Sequence, residues 1–72
     1  MTNTKRLEEI IEACGLKKSY IAKMIGVSIR ALSMKIRNKT EFKASEIEAL
    51  CQILSITDLA EKEAVFFARE VD

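Results

Sequence analysis

The sequence predicts an all-α fold, a compact bundle of four to five short helices. Three observations carry that expectation. Apolar residues recur at i, i+3, i+4 and i+7 in Leu7, Ile10, Ile11 and Cys14, and again in Ile47, Leu50, Cys51 and Leu54; this is the period of one helical face. No segment alternates apolar and polar residues as a half-buried strand would. The two glycines, Gly15 and Gly26, each follow a helical run, where a chain leaving a helix needs a left-handed residue that glycine adopts cheaply.

The first helix is read over residues 5–14, KRLEEIIEAC. Thr4 is its expected N-cap and Gly15 its stop, with Leu16 packing back in a Schellman ending. The second helix, residues 17–26, carries a narrow apolar side in Ile21, Ala22 and Ile25. Its start is weakly signalled, because Lys17 stands where a Ser or Thr cap would be expected. After the corner Ile25-Gly26-Val27-Ser28, Ser28 caps a third helix over residues 29–37, with Leu32 and Ile36 inward. The small Ala22 lets two helices approach closely. This spacing is the sequence form of a helix-turn-helix; a plain helical hairpin is the rival.

Residues 38–43 read as a loop. Asn38 tolerates a left-handed conformation, and Phe42 is expected to fold back as a core plug. A fourth helix is expected to begin at Ser45, with Glu48 completing a capping box. Residues 55–58, SITD, break the pattern. A fifth helix then covers Leu59 to Ala68, capped by Asp58 or Thr57, with Glu70 and Asp72 fraying.

At 72 residues the chain reads as one domain, 1–72, near the lower limit for an unaided core. An apolar share of 49% is ordinary for a folded protein. No apolar run approaches the roughly 18 residues that span a membrane. The start, MTNTKRLEEI, has no apolar h-region, so no secretion signal is expected and the cytoplasm is the default. Cys14 and Cys51 sit on apolar stripes and are expected as buried free thiols. Without histidine, two thiols do not complete a typical zinc site, so neither metal nor cofactor is expected. There is no nucleophile motif and no Gly-rich phosphate loop, so the chain reads as no enzyme.

The net charge of +1 conceals an asymmetry. Residues 1–40 hold nine Lys and Arg against three Glu, a balance of +6; residues 41–72 hold three against eight Asp and Glu, a balance of −5. No acid occurs between Glu12 and Glu41. A basic half that coincides with a helix-turn-helix points to a polyanionic partner.

The chain resembles the phage repressor and Cro-type helix-turn-helix regulators over roughly residues 5–56. The resemblance is carried by Ile21, Ala22, Ile25, Gly26, Val27, Ser28 and Leu32, and after the loop by Phe42-Lys43-Ala44-Ser45-Glu46-Ile47. The loop and the helix after it look like the small Cro-like proteins of temperate phages of Gram-positive bacteria. The resemblance implies a phage repressor-like DNA-binding domain whose third helix enters the major groove of double-stranded operator DNA. It also implies a homodimer on a palindromic operator. The chain departs from the pattern in two ways. Lys35 stands where the family commonly has an apolar core residue. Ile29 and Met34 fall on the outer face of helix three, where polar base readers are usual.

The DNA-binding candidates are Lys18, Ser28, Ile29, Arg30, Ser33, Met34, Arg37 and Lys39. Arg30 is the best base reader, since a guanidinium can bond guanine O6 and N7 together; a phosphate contact is its equal rival. Ser33 reaches a phosphate or base, or is simply solvated. Ile29 touches a thymine methyl, joins a protein interface or is partly buried, and Met34 has the same three readings. Lys18, Lys35, Arg37, Lys39 and Lys43 are phosphate-contact candidates, whereas Lys23 reads as solvated. The free N–H groups at the start of helix two can receive a phosphate. Tyr20 is expected to pack under helix one rather than reach a phosphate. Protein-interface candidates are Ile29, Met34, Val65, Phe66 and Phe67, the last three divided between the monomer core and a two-fold interface. Two functions follow. One is a Cro-like regulator that occludes operator DNA in a lysis/lysogeny switch. The other is a small antirepressor that binds the partner phage repressor protein instead.

Overall fold

The structure, a computed structural model, describes residues 1–69. Five helices follow in order: α1 Thr4–Cys14, α2 Lys18–Ile25, α3 Ile29–Ile36, α4 Ala44–Ile53 and α5 Leu59–Phe66. No strand occurs among the described residues, and the fold is all-α, as the periodicity predicts. The expected fraying of Glu70 and Asp72 lies outside the described residues.

Each helix turns its apolar stripe into one core. Leu7, Ile21, Leu32, Ile36, Leu50 and Val65 are essentially withdrawn from water, each side chain contributing about 1.5–3 kcal/mol by burial. Helix α2 packs against α3 and α4, and α1 against α3 and α5. Ala22, 1% exposed, has a methyl where a larger side chain would hold α2 off its neighbours. Phe42 does fold back: its ring meets that of Phe66 edge-on, centroids 5.7 Å apart at 88°, an arrangement that adds to simple burial. Val65 and Phe66 are therefore core residues, 0% and 4% exposed, and not interface candidates. Phe67, one position on, is 57% exposed.

Three helices end in the same hydrogen-bonded device. After α2, Gly26 adopts φ +83°, its N–H bonds Lys23 O, and the Val27 N–H bonds Ala22 O. After α3, Asn38 takes φ 65°, its N–H bonds Lys35 O, and the Lys39 N–H bonds Met34 O at 2.8 Å. After α4, Ser55 takes φ 58°, and the Ile56 N–H bonds Cys51 O at 2.8 Å. These are Schellman motifs. Helix α1 differs from expectation. Gly15 is left-handed, but Leu16 is 37% exposed and its N–H bonds the Cys14 thiol at 3.4 Å. That thiol donates to Ile11 O at 2.9 Å, satisfying the carbonyl that the Leu16 N–H would otherwise reach.

Two cap assignments also change. Asn3, not Thr4, caps α1: its side chain accepts the Arg6 N–H at 3.1 Å. The Thr4 hydroxyl instead donates to Ile36 O at 2.6 Å, tying α1 to the end of α3. Helix α4 begins two residues before the Ser45–Glu48 box would have it. Glu46, on its first turn, accepts the Lys43 N–H at 2.8 Å, while Glu48 pairs with Lys62 at 2.9 Å. Ser28 and Asp58 cap α3 and α5 as read, accepting from the N–H groups of Ala31 and Ala60.

Residues 1–3 form an arm laid across the end of α5. The Asn3 N–H bonds Val65 O at 2.7 Å, and the Ala68 N–H bonds Met1 O at 2.9 Å. On its other side the arm meets Asn38, whose side-chain amide accepts from the Thr2 N–H and donates to Thr2 O, both at 2.8 Å. Thr2 is thereby 5% exposed with its backbone satisfied.

Candidate nucleic-acid interface

The two helices of the corner divide their residues cleanly. On α3, Leu32 and Ile36 point inward and are buried. To one side of that pair lie Ile29, Arg30, Ser33, Met34 and, just past the helix, Arg37. Ser33 is half-buried, Ile29 is 56% and Met34 37% exposed, and both arginines are exposed. These positions run i, i+1, i+4, i+5 and i+8, one continuous helical stripe. Ser28 presents its Oγ to the Ala31 N–H at 3.0 Å, so its hydroxyl fixes the start of α3 and is not idle at the surface. Neither Ile29 nor Met34 joins the core cluster, but they differ: Ile29 is more than half exposed, whereas Met34 is nearly two-thirds shielded.

The basic side chains have different fates. Lys18, at the start of α2, is exposed and pairs with Glu8 at 2.8 Å. Lys17 caps α2 without a side-chain bond, leaving the first-turn N–H groups without a side-chain acceptor. Arg37 and Lys39 flank left-handed Asn38 and are exposed, so the Schellman turn that ends α3 also projects two cations beside the α3 stripe.

Lys35 is not available to a phosphate. Its ammonium lies 3.1 Å from the Glu46 carboxylate and 3.0 Å from Glu41 O, with side chains only 11% and 9% exposed in the pair. Burial works to raise the Glu46 carboxyl, but the Lys43 N–H bond and the Lys35 ammonium prevail and hold it below its ordinary value. This explains how a lysine occupies a position where an apolar residue is expected: Glu46, brought there by the earlier start of α4, neutralises it. Lys43 stays exposed. Tyr20 is 49% exposed and does not pack under α1 into the core. Cys14 and Cys51 are both free thiols; Cys14 is half-buried, and burial pushes the Cys51 thiol up.

Taken together, the corner presents two short crossed helices, the second with an exposed stripe that offers guanidinium donors, a hydroxyl and two apolar side chains. A family model described as helix-turn-helix matches residues 7–62, a span that runs from the first buried residue of α1 through the first half of α5. The chain belongs to the helix-turn-helix family. That family makes it a DNA-binding transcriptional regulator. Neither curated proteins nor solved structures yield a match. Among the described residues no helix is long and apolar enough to cross a membrane.

Within this helix-turn-helix, the outward stripe of α3 falls on the element that such motifs lay in the major groove. Sequence reasoning found that stripe because Leu32 and Ile36 set the helix phase. It missed the Asn38–Thr2 contact, which joins residues 36 positions apart and leaves no periodic trace. It also missed Ser55, where a left-handed serine carries no mark in composition.

Proposed function

We propose that this protein is a Cro-like regulator that occludes operator DNA in a phage lysis/lysogeny switch, acting in the cytoplasm of a bacterial host cell. The observation that supports it is the α3 stripe, where Arg30 and Arg37 stand exposed beside Ser33 in a stretch holding no acid from Glu12 to Glu41. Arg30 reads a guanine edge. Ser28 and Ser33 contact the backbone or a base, and Ile29 and Met34 lie against thymine methyls. Lys18, released from its exposed pair with Glu8, joins Arg37 and Lys39 on phosphates, as does the start of α2. Residues 1–72 act as one helix-turn-helix domain. Two copies as a homodimer cover the two halves of a palindromic site, and the bound pair excludes polymerase or a competing repressor. The resemblance to small Cro-like proteins of temperate phages of Gram-positive bacteria supports the phage setting.

A second reading has its own support. Ile29 at 56% exposure and Met34 at 37% are costly to leave in water and suit a protein partner, here a phage repressor held by an antirepressor. One titration separates the two: the purified chain against the intergenic DNA beside its own gene, with and without the neighbouring repressor. Retardation of DNA by the chain alone supports the operator reading. Release of the repressor from DNA by a chain that never retards DNA itself replaces it.

A further inference from the structure

Two helices carry unpartnered faces of complementary character. Helix α5 sends Val65 and Phe66 into the core and leaves Leu59, Ala60, Glu63, Ala64 and Phe67 exposed. These positions share one helical face, with Leu59 67% and Phe67 57% exposed. Two alanines leave the face low enough for another helix to approach. Its one charge is Glu63, which no ion pair holds among the described residues, since Lys62 pairs with Glu48 and Arg6 with Glu61 and Glu9. At the other face, Tyr20 and Met24 stand one turn apart on α2 and are 49% and 52% exposed, with Leu16, 37% exposed, in the turn before the helix. Lys17 and Lys23 stand exposed beside them, held by no ion pair among the described residues.

We infer that α5 of one copy docks on α2 of another. Large apolar side chains on each face meet, and Glu63 comes to lie against Lys23. Charge selects this occupant. The half of the chain carrying α2 has a balance of +6 and the half carrying α5 one of −5, so unlike halves attract. Pairing α5 with α5 across a two-fold axis would instead bring Glu63 up to its own copy. The contact takes the same form in a reciprocal pair, where each copy gives α5 and receives it on α2, and in a head-to-tail chain. The α3 stripe is not used, so its base-reading side chains stay open when a second copy is bound. The inference rests on the reading that the regulator works as more than one copy, and names the surfaces that join them.

The test is sedimentation of the full chain over a range of concentrations at low salt, comparing wild type with Lys23→Glu, Glu63→Lys and the double swap. Each single reversal sets like charges together, which weakens self-association by about tenfold or more, and the double swap recovers it. Circular dichroism checks that all four chains are folded, and neither residue belongs to the proposed DNA contacts. Association of the wild type that no reversal changes overturns the α5-on-α2 contact while leaving self-association standing. A wild type that is monomeric throughout, free and bound to DNA, overturns both.

Discussion

The carboxamide of Asn38 and the backbone of Thr2 exchange two hydrogen bonds of 2.8 Å, closing the N-terminal arm onto the turn that ends α3. Asn38 thus does two jobs. Its left-handed backbone completes the Schellman turn, and its side chain satisfies a buried backbone. The two separate by substitution. Asn38→Gly keeps the turn and relieves backbone strain but drops both bonds, each typically worth about 0.5–1.5 kcal/mol net. We expect a net loss of about 1 kcal/mol, and a larger loss for Asn38→Ala, which adds left-handed strain of about 1–2 kcal/mol. Urea midpoints decide; a glycine variant as stable as wild type would show that the clasp contributes no more than the strain glycine relieves, contrary to the expected loss.

Ser55 gives the opposite expectation. It occupies a left-handed position at φ 58°, and its exposed side chain is not seen to hold a partner among the described residues. Ser55→Gly should raise stability by about 0.5–1 kcal/mol, the relieved strain exceeding the added freedom of the unfolded chain. A lower urea midpoint would mean that the serine hydroxyl holds the turn in a way the hydrogen-bond pattern does not account for.

The inward phase of α3 rests on Leu32, which is fully buried. Leu32→Ala should cost about 2–5 kcal/mol, the lost burial plus the cavity left behind. In a domain of this size that is a large part of the total, so the melt should fall steeply or disappear. An unchanged midpoint would mean the helix is rotated, and with it the whole exposed stripe.

The Lys35–Glu46 pair makes a statement about acid stability. The Glu46 carboxyl sits below its ordinary value of 4.5 in the folded chain, so the unfolded chain binds that proton more tightly. Its contribution is therefore full above about pH 4.5 and is lost as the pH falls through the lower folded value. Glu48, lowered by its bond with Lys62, acts in the same direction, so a comparison is needed to isolate Glu46. Glu46→Gln should be less stable than wild type at pH 7, with the gap narrowing below pH 4.5. A gap that stays constant through the acid range would contradict the assignment.

The sequence made the helices legible wherever local chemistry set them. Leu7 to Cys14 and Ile47 to Leu54 show their faces by period alone, Gly15 and Gly26 mark their stops, and Ser28 marks the start of α3. It misled where two local signals competed. Thr4 and Asn3 both cap well, and only the tertiary partner of Thr4, Ile36 O, decides between them. Ser45 and Glu48 form a good box on paper, yet Glu46 is drawn to Lys35 from another helix, and α4 starts accordingly. Val65, Phe66 and Phe67 look alike in sequence; packing against Phe42 and the N-terminal arm divides them. For the α3 stripe the sequence supplies the side chains and the phase, while the fate of each charge, Lys35 above all, depends on what the fold brings beside it.

The central claim is that the exposed stripe of α3 reads DNA through Arg30. The direct measurement is fluorescence anisotropy of the wild type, Arg30→Ala, Met34→Ala and Lys39→Ala on the intergenic DNA beside the chain's own gene and on a scrambled duplex, across a salt series. We predict tight wild-type binding that weakens steeply with salt. Arg30→Ala should lose about 1–3 kcal/mol, mostly on the specific duplex, and Met34→Ala less. Lys39→Ala should weaken both duplexes alike and lower the salt slope by about one. No binding by the wild type, or binding that Arg30→Ala leaves unchanged while Met34→Ala abolishes capture of the neighbouring repressor, would contradict the account.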